Sequence, residues 1–449
     1  MLFRSPGGHF LDYALAVLEA SKLRGYSPTL VSHRSFASAI SADVRVERLY
    51  RFDNWPLASR APIIRWLRLN VLPKRQPSTT TARSAAPSQS SFFRALRGHY
   101  DELDLKIRSR AFERVTTVAF ERLRPRSQDL IFLPNPWIPE LRGLAAALRA
   151  YTGGGELTAH LLLRREFRIS ESAAVREALH GFADPSSTAR ILLYCDTPEL
   201  AQLYQETFGI GFETLPIPHP TTGLKERPGD ELIQLCYLGD ARCEKGFATL
   251  PGLVGRILER MRGERSIRFV IQANAPATGL EPDARAALAA LRAMDPAIMS
   301  LITEPQERSA YEATVLNSDI VLLPYKAEHY RYRSSGVLTE ALSAGVPALV
   351  PEETWLSNEL RRFRQPEHSS VRYTDGLPGA PYSTGENSAI DKLCHMLRHL
   401  DAYQAVARDC APHVRGRHNA ESLINVLTLS ARSQQLVTKS KLLEERHVR

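Results

Sequence analysis

Short apolar runs alternate with amphipathic helical stretches along most of the chain. In the second half the runs are "LIQLCYLG", "IRFVIQA", "IMSLIT", "DIVLLPY" and "VPALVP". In the first half an opening "MLF", a Gly-rich turn and the helical "LDYALAVLEASKLRGY" precede "PTLVSHR", "QDLIFLP", "LTAHLLL" and "ARILLYC", with helices near 139–151 and 198–208. Short strands separated by helices predict mostly parallel sheets covered on both faces. We therefore expect an α/β protein with two Rossmann-like domains in tandem.

The length and the interruptions of this pattern predict the domain boundaries. A chain of 449 residues suits two domains. The stretch Pro216–Glu231 contains four prolines and no periodicity, so we place an interdomain linker at 219–230. The first domain then covers 1–218, the second 231–405, and helices with a tail follow at 406–449. Residues 75–91 are small, polar and Pro-containing, which favours a flexible loop inside the first domain.

Composition narrows the class of protein. The chain is 43% hydrophobic and 24% charged, as in globular proteins, and no apolar run approaches the roughly 20 residues of a membrane span. The N-terminus has no secretory-signal pattern, and the five scattered cysteines form no CxxC pair. These features favour a cytoplasmic protein with reduced thiols and no metal site. The net charge of +9 suggests an anionic partner or merely a basic protein, but the dispersed basic residues argue against nucleic-acid binding.

Two Gly-containing turns are candidates for ligand binding, because such turns expose backbone N–H groups at helix N-termini. The first is Gly7-Gly8-His9 before the first helix, where His9 could act on a hydroxyl or phosphate; an ordinary tight turn is the alternative. The second is "YLGDARCEKGF", where Gly239 ends a strand and Gly246 leads into a helix. Permanent cations in that loop could stabilise a diphosphate. Its cations are Arg242 and Lys245.

The stretch "YRYRSSGVLTEALSAGVPALVP" is expected to face the same cleft. The strand "DIVLLPY" ends at Tyr325, and a helix is predicted to begin near Ser334-Ser335-Gly336, with Arg333 just before it and Val337 in its first turn. Glu340 lies about one turn into this helix. A carboxylate accepts hydrogen bonds only and suits the vicinal hydroxyls of a ribose. The alternative is a glutamate that complements the helix dipole.

Taken together, these motifs resemble those of GT-B-fold glycosyltransferases of the retaining group called family 4. The matching residues are Gly239, Glu244-Lys245-Gly246, Glu340-Ala341 and Gly345-Val346-Pro347. The resemblance covers about 120 residues of the second domain well and the first domain only loosely. It implies that Lys245 binds the diphosphate and Glu340 the ribose of a nucleotide diphosphate sugar, and that the Gly7-Gly8 turn approaches donor or acceptor. We expect no metal, because the sequence has no DxD motif at a cleft edge and no His/Cys cluster, and we expect no cofactor.

Two positions depart from the family pattern. The usual arginine after the loop glycine is Asp240 here, so Arg242 could supply the second cation from a shifted position. The usual first acid of the helix motif, which touches the transferred sugar, falls on Tyr332. A noncatalytic protein that binds a sugar nucleotide or a partner protein, and a sugar-nucleotide epimerase, therefore remain as alternatives.

The acceptor is expected on the first domain. Arg164 and Arg165 end the strand "AHLLL" and could hold a phosphate at the cleft, or they could be surface arginines. His160 is expected to pack within that strand, and Asp196 to cap the next helix. The segment 57–75 combines five basic residues with Trp and large aliphatics. This composition is typical of a helix on an anionic membrane face, which would suit a lipid-linked acceptor and a peripheral position on the inner face of the membrane. A core-facing helix is the alternative.

Overall fold

The computed structural model describes residues 9–33, 44–50, 91–153, 157–167, 171–183, 189–218, 223–225, 232–275, 279–367, 369–383 and 385–433. Several predicted features lie outside these residues. They are the opening strand, the Gly7-Gly8 pair, the segment 57–75 and, apart from Ser91, the predicted loop 75–91. The side chain of His9 is also outside the described part, although its backbone starts the first helix.

The first half of the chain contains one two-stranded and one four-stranded parallel sheet, the latter in the order β3-β4-β5-β6. The strands predicted at "PTLVSHR", "QDLIFLP", "LTAHLLL" and "ARILLYC" are all present. The elements are α1 (His9–Leu23), β1 (Thr29–His33), β2 (Arg45–Tyr50), α2 (Ser91–Leu123), β3 (Leu130–Pro134), α3 (Ile138–Ala150), β4 (Thr158–Leu163), α4 (Ser172–His180), β5 (Arg190–Cys195), α5 (Pro198–Phe208) and β6 (Glu213–Thr214).

The second half forms a six-stranded parallel sheet in the order β12-β11-β10-β7-β8-β9. All five strands predicted there are confirmed. The elements are β7 (Leu232–Tyr237), α6 (Leu250–Arg260), β8 (Ser266–Gln272), α7 (Pro282–Arg292), β9 (Met299–Ile302), α8 (Arg308–Leu316), β10 (Ile320–Leu322), α9 (Ala327–Tyr330), α10 (Gly336–Ser343), β11 (Ala348–Pro351), α11 (Trp355–Arg362), α12 (Val371–Thr374), β12 (Gly379–Tyr382), α13 (Glu386–Arg398), α14 (Leu400–Arg417) and α15 (Ala420–Ser433).

Two of the elements absent from the sequence-based expectation have clear physical origins. The helix α2 is long and highly charged, so it shows little apolar periodicity; it packs closely on α3 at Gly143, where a Cβ would lie 2.6 Å from the carbonyl oxygen of Ser109. The strand β12 has the sequence "GAPY" and lies at the edge of its sheet, where a proline is tolerated.

The end of the chain connects the two halves of the molecule. The helix α14 buries Val406, Cys410 and Val414 in the core of the second half. The helix α15 instead packs its apolar face, which includes Leu423 and Ile424, in one cluster with α1 and β3 to β5 of the first half. The helix α15 therefore covers an apolar face of the first half.

Part of the predicted linker is fixed to the second half. The Lys225 ammonium is buried and lies 3.1 Å from Oδ1 of Asp319, while its backbone N–H donates to the carbonyl of Ala344 at 2.8 Å. Asp319 also accepts a hydrogen bond from the backbone N–H of Gln234. A buried ammonium is tolerated when it is paired in this way, so residues 223–225 pack as part of the second half.

Candidate functional site

The loops that follow β7 and β10 are pressed together at the carboxyl edge of the six-stranded sheet. Gly246 has φ +71°, and a Cβ there would lie 1.8 Å from the carbonyl oxygen of Pro324. The backbone N–H of Lys326 donates to the carbonyl of Glu244 at 3.0 Å. Glycine is thus required at position 246 for the two loops to meet.

Lys245 lies at the centre of this junction. Its ammonium is so close to Gly239 (φ +127°) that a Cβ at that glycine would be 2.7 Å from Nζ, and it lies 6.0 Å from the ring centroid of Tyr325. Within the described part of the chain, no carboxylate pairs with this ammonium. Burial lowers the pKa of Lys245, and nearby Arg242 and Arg333 act in the same direction, while the charges of Asp240 and Glu244 act against this shift. The site therefore holds a partly desolvated cation that a bound anion would stabilise.

The other cations of the loop are neutralised internally. Arg242 lies 2.5 Å from Oδ2 of Asp240 and 3.6 Å from Oε1 of Glu244. Arg333 lies 3.4 Å from Oε2 of Glu244, with its guanidinium 5.2 Å from the ring centroid of Tyr330. Asp240, which stands where the family has arginine, thus binds the cation that was expected to replace that arginine.

The helix α10 presents its N-terminus beside this loop, as predicted. Ser335 is the N-cap, and its side chain accepts a hydrogen bond from the backbone N–H of Leu338. Gly336 is exposed, with nothing within 4 Å of a Cβ built on it, whereas Val337 is buried. The buried phenol of Tyr325 is hydrogen-bonded to Ser335. The open first turn of α10 therefore lies next to the loop that carries Lys245.

Glu340 is buried and already has partners. Its Oε2 accepts a 2.6 Å hydrogen bond from the Tyr311 hydroxyl, and its Oε1 accepts one of 3.1 Å from the Arg308 guanidinium. Burial and the Glu340 charge raise the pKa of Tyr311, so its phenol remains a donor. Sequence motifs could not reveal these partners, because both come from α8.

The predicted acceptor residues of the first half are held by neighbouring side chains. Nε of Arg164 donates to Oδ2 of Asp196 at 2.9 Å, while Arg165 stacks 3.4 Å from the ring centroid of Trp137. His160 is buried and bonded to Tyr194, as expected for a packing role, and burial lowers its pKa to about 4.

The expected role of Asp196 as a helix cap is wrong. The N-cap of α5 is Thr197, whose hydroxyl accepts a hydrogen bond from the backbone N–H of Leu200 at 3.1 Å. Asp196 instead contacts the other half of the molecule, since its Oδ2 accepts a 2.5 Å hydrogen bond from the Ser334 hydroxyl. The Thr197 hydroxyl also donates to the carbonyl of Tyr332 at 2.7 Å, and Tyr332 packs on the apolar core of the first half.

Glu166 was not among the residues that the sequence predicted for the site. Glu166 is exposed at the protein surface, but partial desolvation by neighbouring groups raises its pKa, and the charges of Arg331, Arg333 and His329 oppose this shift. The first half thus contributes a carboxylate to the basic edge of the second. Its position just after Arg165 at the end of β4 was the available signal.

The residues that the structure describes contain no group of three or more His, Cys, Asp or Glu side chains that could hold a metal ion. None of the helices in the same part of the chain is long and apolar enough to cross a membrane.

Comparison with known proteins identifies the fold. No family model matches the chain, and no curated protein sequence matches it. Solved structures do match over nearly the whole length. The UDP-forming α,α-trehalose-phosphate synthase from Burkholderia xenovorans, in complex with glucose-6-phosphate, superposes with a TM-score of 0.61 at 15% identity, covering 96% of this chain and 100% of that one.

Two further matches belong to different synthases. Sucrose-phosphate synthase from Thermosynechococcus elongatus gives a TM-score of 0.59 at 10% identity, covering 100% of this chain and 98% of that one. The catalytic domain of starch synthase IV from Arabidopsis thaliana, bound to ADP and acarbose, gives 0.60 at 9% identity, with coverages of 96% and 99%. These structures are GT-B glycosyltransferases. The chain has their GT-B fold, two Rossmann-like domains built on parallel sheets, as the sequence predicted.

Proposed function

We propose that the protein is a glycosyltransferase that moves a sugar from a nucleotide diphosphate sugar to an acceptor hydroxyl. The observation that carries this proposal is the placement of Lys245. Its ammonium is partly desolvated, has no carboxylate partner in the described part of the chain, and lies beside the open N-terminus of α10. A cation and a helix N-terminus that converge on one edge of a Rossmann-like sheet favour a diphosphate.

The donor site consists of the two loops and the start of α10. Gly239 leaves room for the Lys245 ammonium, Gly246 lets the two loops meet, and Lys245 supplies charge. The other residues of the proposed donor site lie in the loop after β10 and at the start of α10. They are Tyr325, Arg333, Ser334, Ser335, Gly336 and Val337. In this proposal Glu340 binds the ribose, and hydrogen bonds from Tyr311 and Arg308 orient its carboxylate.

The chemistry requires charge stabilisation more than proton transfer. The bond from the anomeric carbon to the diphosphate oxygen breaks, a bond from that carbon to the acceptor oxygen forms, and the acceptor proton passes to the departing diphosphate. Lys245 and the helix N–H groups would stabilise the negative charge that develops on the diphosphate, with Arg242 as an outer cation. Closure of the two domains would exclude water. Retention of anomeric configuration follows from the family resemblance, and no metal or cofactor is needed.

The acceptor in this proposal is a glycan or a lipid-linked glycan. In this proposal the basic, aliphatic composition of segment 57–75 brings the enzyme to the cytoplasmic face of a membrane. Because one similar structure is UDP-forming and another binds ADP, uridine and adenosine diphosphates are the first nucleotides to test.

A noncatalytic sugar-nucleotide-binding protein is the second candidate. The observation that favours it is the pairing of Arg242 with Asp240 and Glu244, which removes one cation from the diphosphate site. Incubation with a donor but no acceptor separates the candidates. A transferase releases nucleotide diphosphate slowly by hydrolysis, an epimerase yields an isomeric donor, and a binding protein leaves the donor unchanged.

A thermal-shift panel tests the donor site directly. Nucleotide diphosphates and their sugars are added to the wild type, to Lys245→Ala and to Lys106→Ala, a control in which an exposed lysine of α2 is removed. A ligand at 100 times its Kd adds about 2.7 kcal/mol to the stability of the wild type. We expect one nucleotide class to stabilise the wild type and the control but not Lys245→Ala. If Lys245→Ala is stabilised equally, the diphosphate site is misplaced.

A further inference from the structure

A buried polar cluster lies where the first half of the molecule meets the loop before α10. Asp196 follows β5, Arg164 follows β4, Tyr13 belongs to α1, and Ser334 precedes the N-cap of α10. Oδ2 of Asp196 accepts hydrogen bonds from Arg164 at 2.9 Å and from Ser334 at 2.5 Å. The Arg164 guanidinium also lies 5.1 Å from the ring centroid of Tyr13. The cluster therefore joins both halves of the molecule.

Two oxygen atoms of this cluster are buried without a hydrogen-bond partner among the described residues. They are Oδ1 of Asp196 and the hydroxyl oxygen of Tyr13, in side chains that are 4% and 6% exposed. A buried polar atom without a partner is costly, and most native structures avoid it. Such a carboxylate oxygen is stable where a bound ligand supplies the donor. Oδ1 of Asp196 is therefore a candidate acceptor for a hydrogen bond from a ligand.

The cluster is adjacent to the proposed diphosphate site. Ser334 is the residue before the N-cap Ser335, and the Thr197 hydroxyl holds the carbonyl of Tyr332 at 2.7 Å. A diphosphate on the first turn of α10 would therefore place whatever it carries close to Asp196. In a nucleotide diphosphate sugar that group is the sugar. A carboxylate accepts hydrogen bonds only, so a sugar hydroxyl is its natural partner.

We propose that Asp196 contacts the transferred sugar, with Oδ1 accepting a hydrogen bond from one of its hydroxyl groups. Oδ2 stays bound to Arg164 and Ser334, which fix the orientation of the carboxylate. The first half of the molecule thus supplies a specificity-determining acid to a donor that the second half binds through its diphosphate. This inference rests on the proposed function, because it requires a sugar nucleotide at α10.

A purely structural role for Asp196, in which it only ties the two halves together, makes a different prediction. Glu199, three residues later, also joins the halves: it forms an ion pair with Arg362 and accepts a 2.9 Å hydrogen bond from Asn358. Glu199→Gln is therefore a matched control for Asp196→Asn, since both convert an interdomain carboxylate at the start of α5 to an amide.

The test compares two dissociation constants in each protein. UDP and UDP-glucose, ADP and ADP-glucose, and GDP and GDP-mannose are titrated into the full-length wild type and both variants by calorimetry. The measured quantity is the Kd of the sugar nucleotide divided by that of its nucleotide. We expect this ratio to rise about 10- to 100-fold in Asp196→Asn, the range for a lost hydrogen bond to a charged group. We expect no change in Glu199→Gln. Equal weakening of both ligands in Asp196→Asn would show a structural role and overturn the proposal.

A second measurement uses only the wild type and guards against a variant that does not fold. The sugar nucleotide that binds is replaced by analogues that each lack one sugar hydroxyl. One analogue should bind about 10- to 100-fold more weakly than the parent. A series in which every analogue binds like the parent overturns the role of Asp196 but leaves the donor site intact. If no nucleotide binds the wild type at all, the proposed function fails, and this inference fails with it.

Discussion

Replacement of Gly246 by alanine tests whether contact between the two donor loops is required. Gly246 has φ +71°, and a Cβ at this position would lie 1.8 Å from the carbonyl oxygen of Pro324. Real Cβ atoms essentially never approach within 3.0 Å. The loops must therefore separate by at least the difference, 3.0 − 1.8 = 1.2 Å, if Gly246→Ala is to fold.

The cost has two parts. Holding an alanine in the left-handed region costs about 1–2 kcal/mol. Forcing packed backbone apart costs about 1–3 kcal/mol by analogy with overpacked cores. The sum is about 2–5 kcal/mol, which corresponds to a fall in the unfolding midpoint of roughly 4–20 °C for a domain of about 200 residues. Nucleotide affinity should fall as well, because Pro324 is followed directly by Tyr325 of the proposed site.

The assay is thermal unfolding of the full chain, with Gly255→Ala as the matched control. Gly255 lies on the exposed face of α6, and a Cβ there meets nothing within 4 Å. The same substitution should raise stability by about 0.5–1 kcal/mol at this site, because alanine favours the helix. If Gly246→Ala unfolds at the wild-type midpoint and binds nucleotide normally, the two loops do not meet as the structure has them.

Three further outcomes follow from charged and hydrogen-bonded groups. Since burial lowers the pKa of Lys245, UDP affinity should fall as the pH rises through that lowered value, whereas Lys245→Arg should keep its affinity to higher pH; calorimetry across pH 7–10 measures both. Tyr311→Phe removes a 2.6 Å hydrogen bond to buried Glu340 and should cost about 1.5–3 kcal/mol in urea unfolding; an unchanged midpoint would contradict this. Burial raises the pKa of Glu359, but hydrogen bonds from His418 and Arg362 outweigh it and the net shift is downward. The stability that Glu359 contributes should therefore be present above pH 4.5 and be lost as the pH falls through its folded-state pKa, so the thermal midpoint should fall more steeply in the wild type than in Glu359→Gln.

The sequence predicted the second half well because its strands are short, continuous apolar runs. The strands β10 and β11 are buried along their whole length, which gives continuous apolar runs such as "IVL". The meeting of the two donor loops could also be anticipated, because the carboxyl ends of parallel strands share one edge of a sheet. The sequence motifs predicted that Gly239, Lys245 and the start of α10 lie at this edge.

The remaining features depend on contacts between residues far apart in the chain. The pairing of Arg242 with Asp240 follows from the loop conformation, and the partners of Glu340 come from α8. Asp196 looked like a helix cap because Asp-Thr-Pro-Glu is a good helix start, but the neighbouring Thr197 has that role. Sequence patterns indicate the local role of a residue, such as a helix cap. They do not reveal which distant side chain it contacts in the folded protein.

Aspartate at position 240 changes how the site balances charge, because it pairs with Arg242. Arg242, Lys245 and Arg333 lie in one loop junction, where like charges would repel strongly in the absence of a ligand. Asp240 and Glu244 neutralise Arg242 and Arg333, so the charge left for a ligand is that of Lys245, whose pKa burial already lowers. A bound diphosphate would restore the pKa of Lys245. Binding should therefore be coupled to proton uptake at alkaline pH, a coupling that a site based on two unpaired arginines would not show.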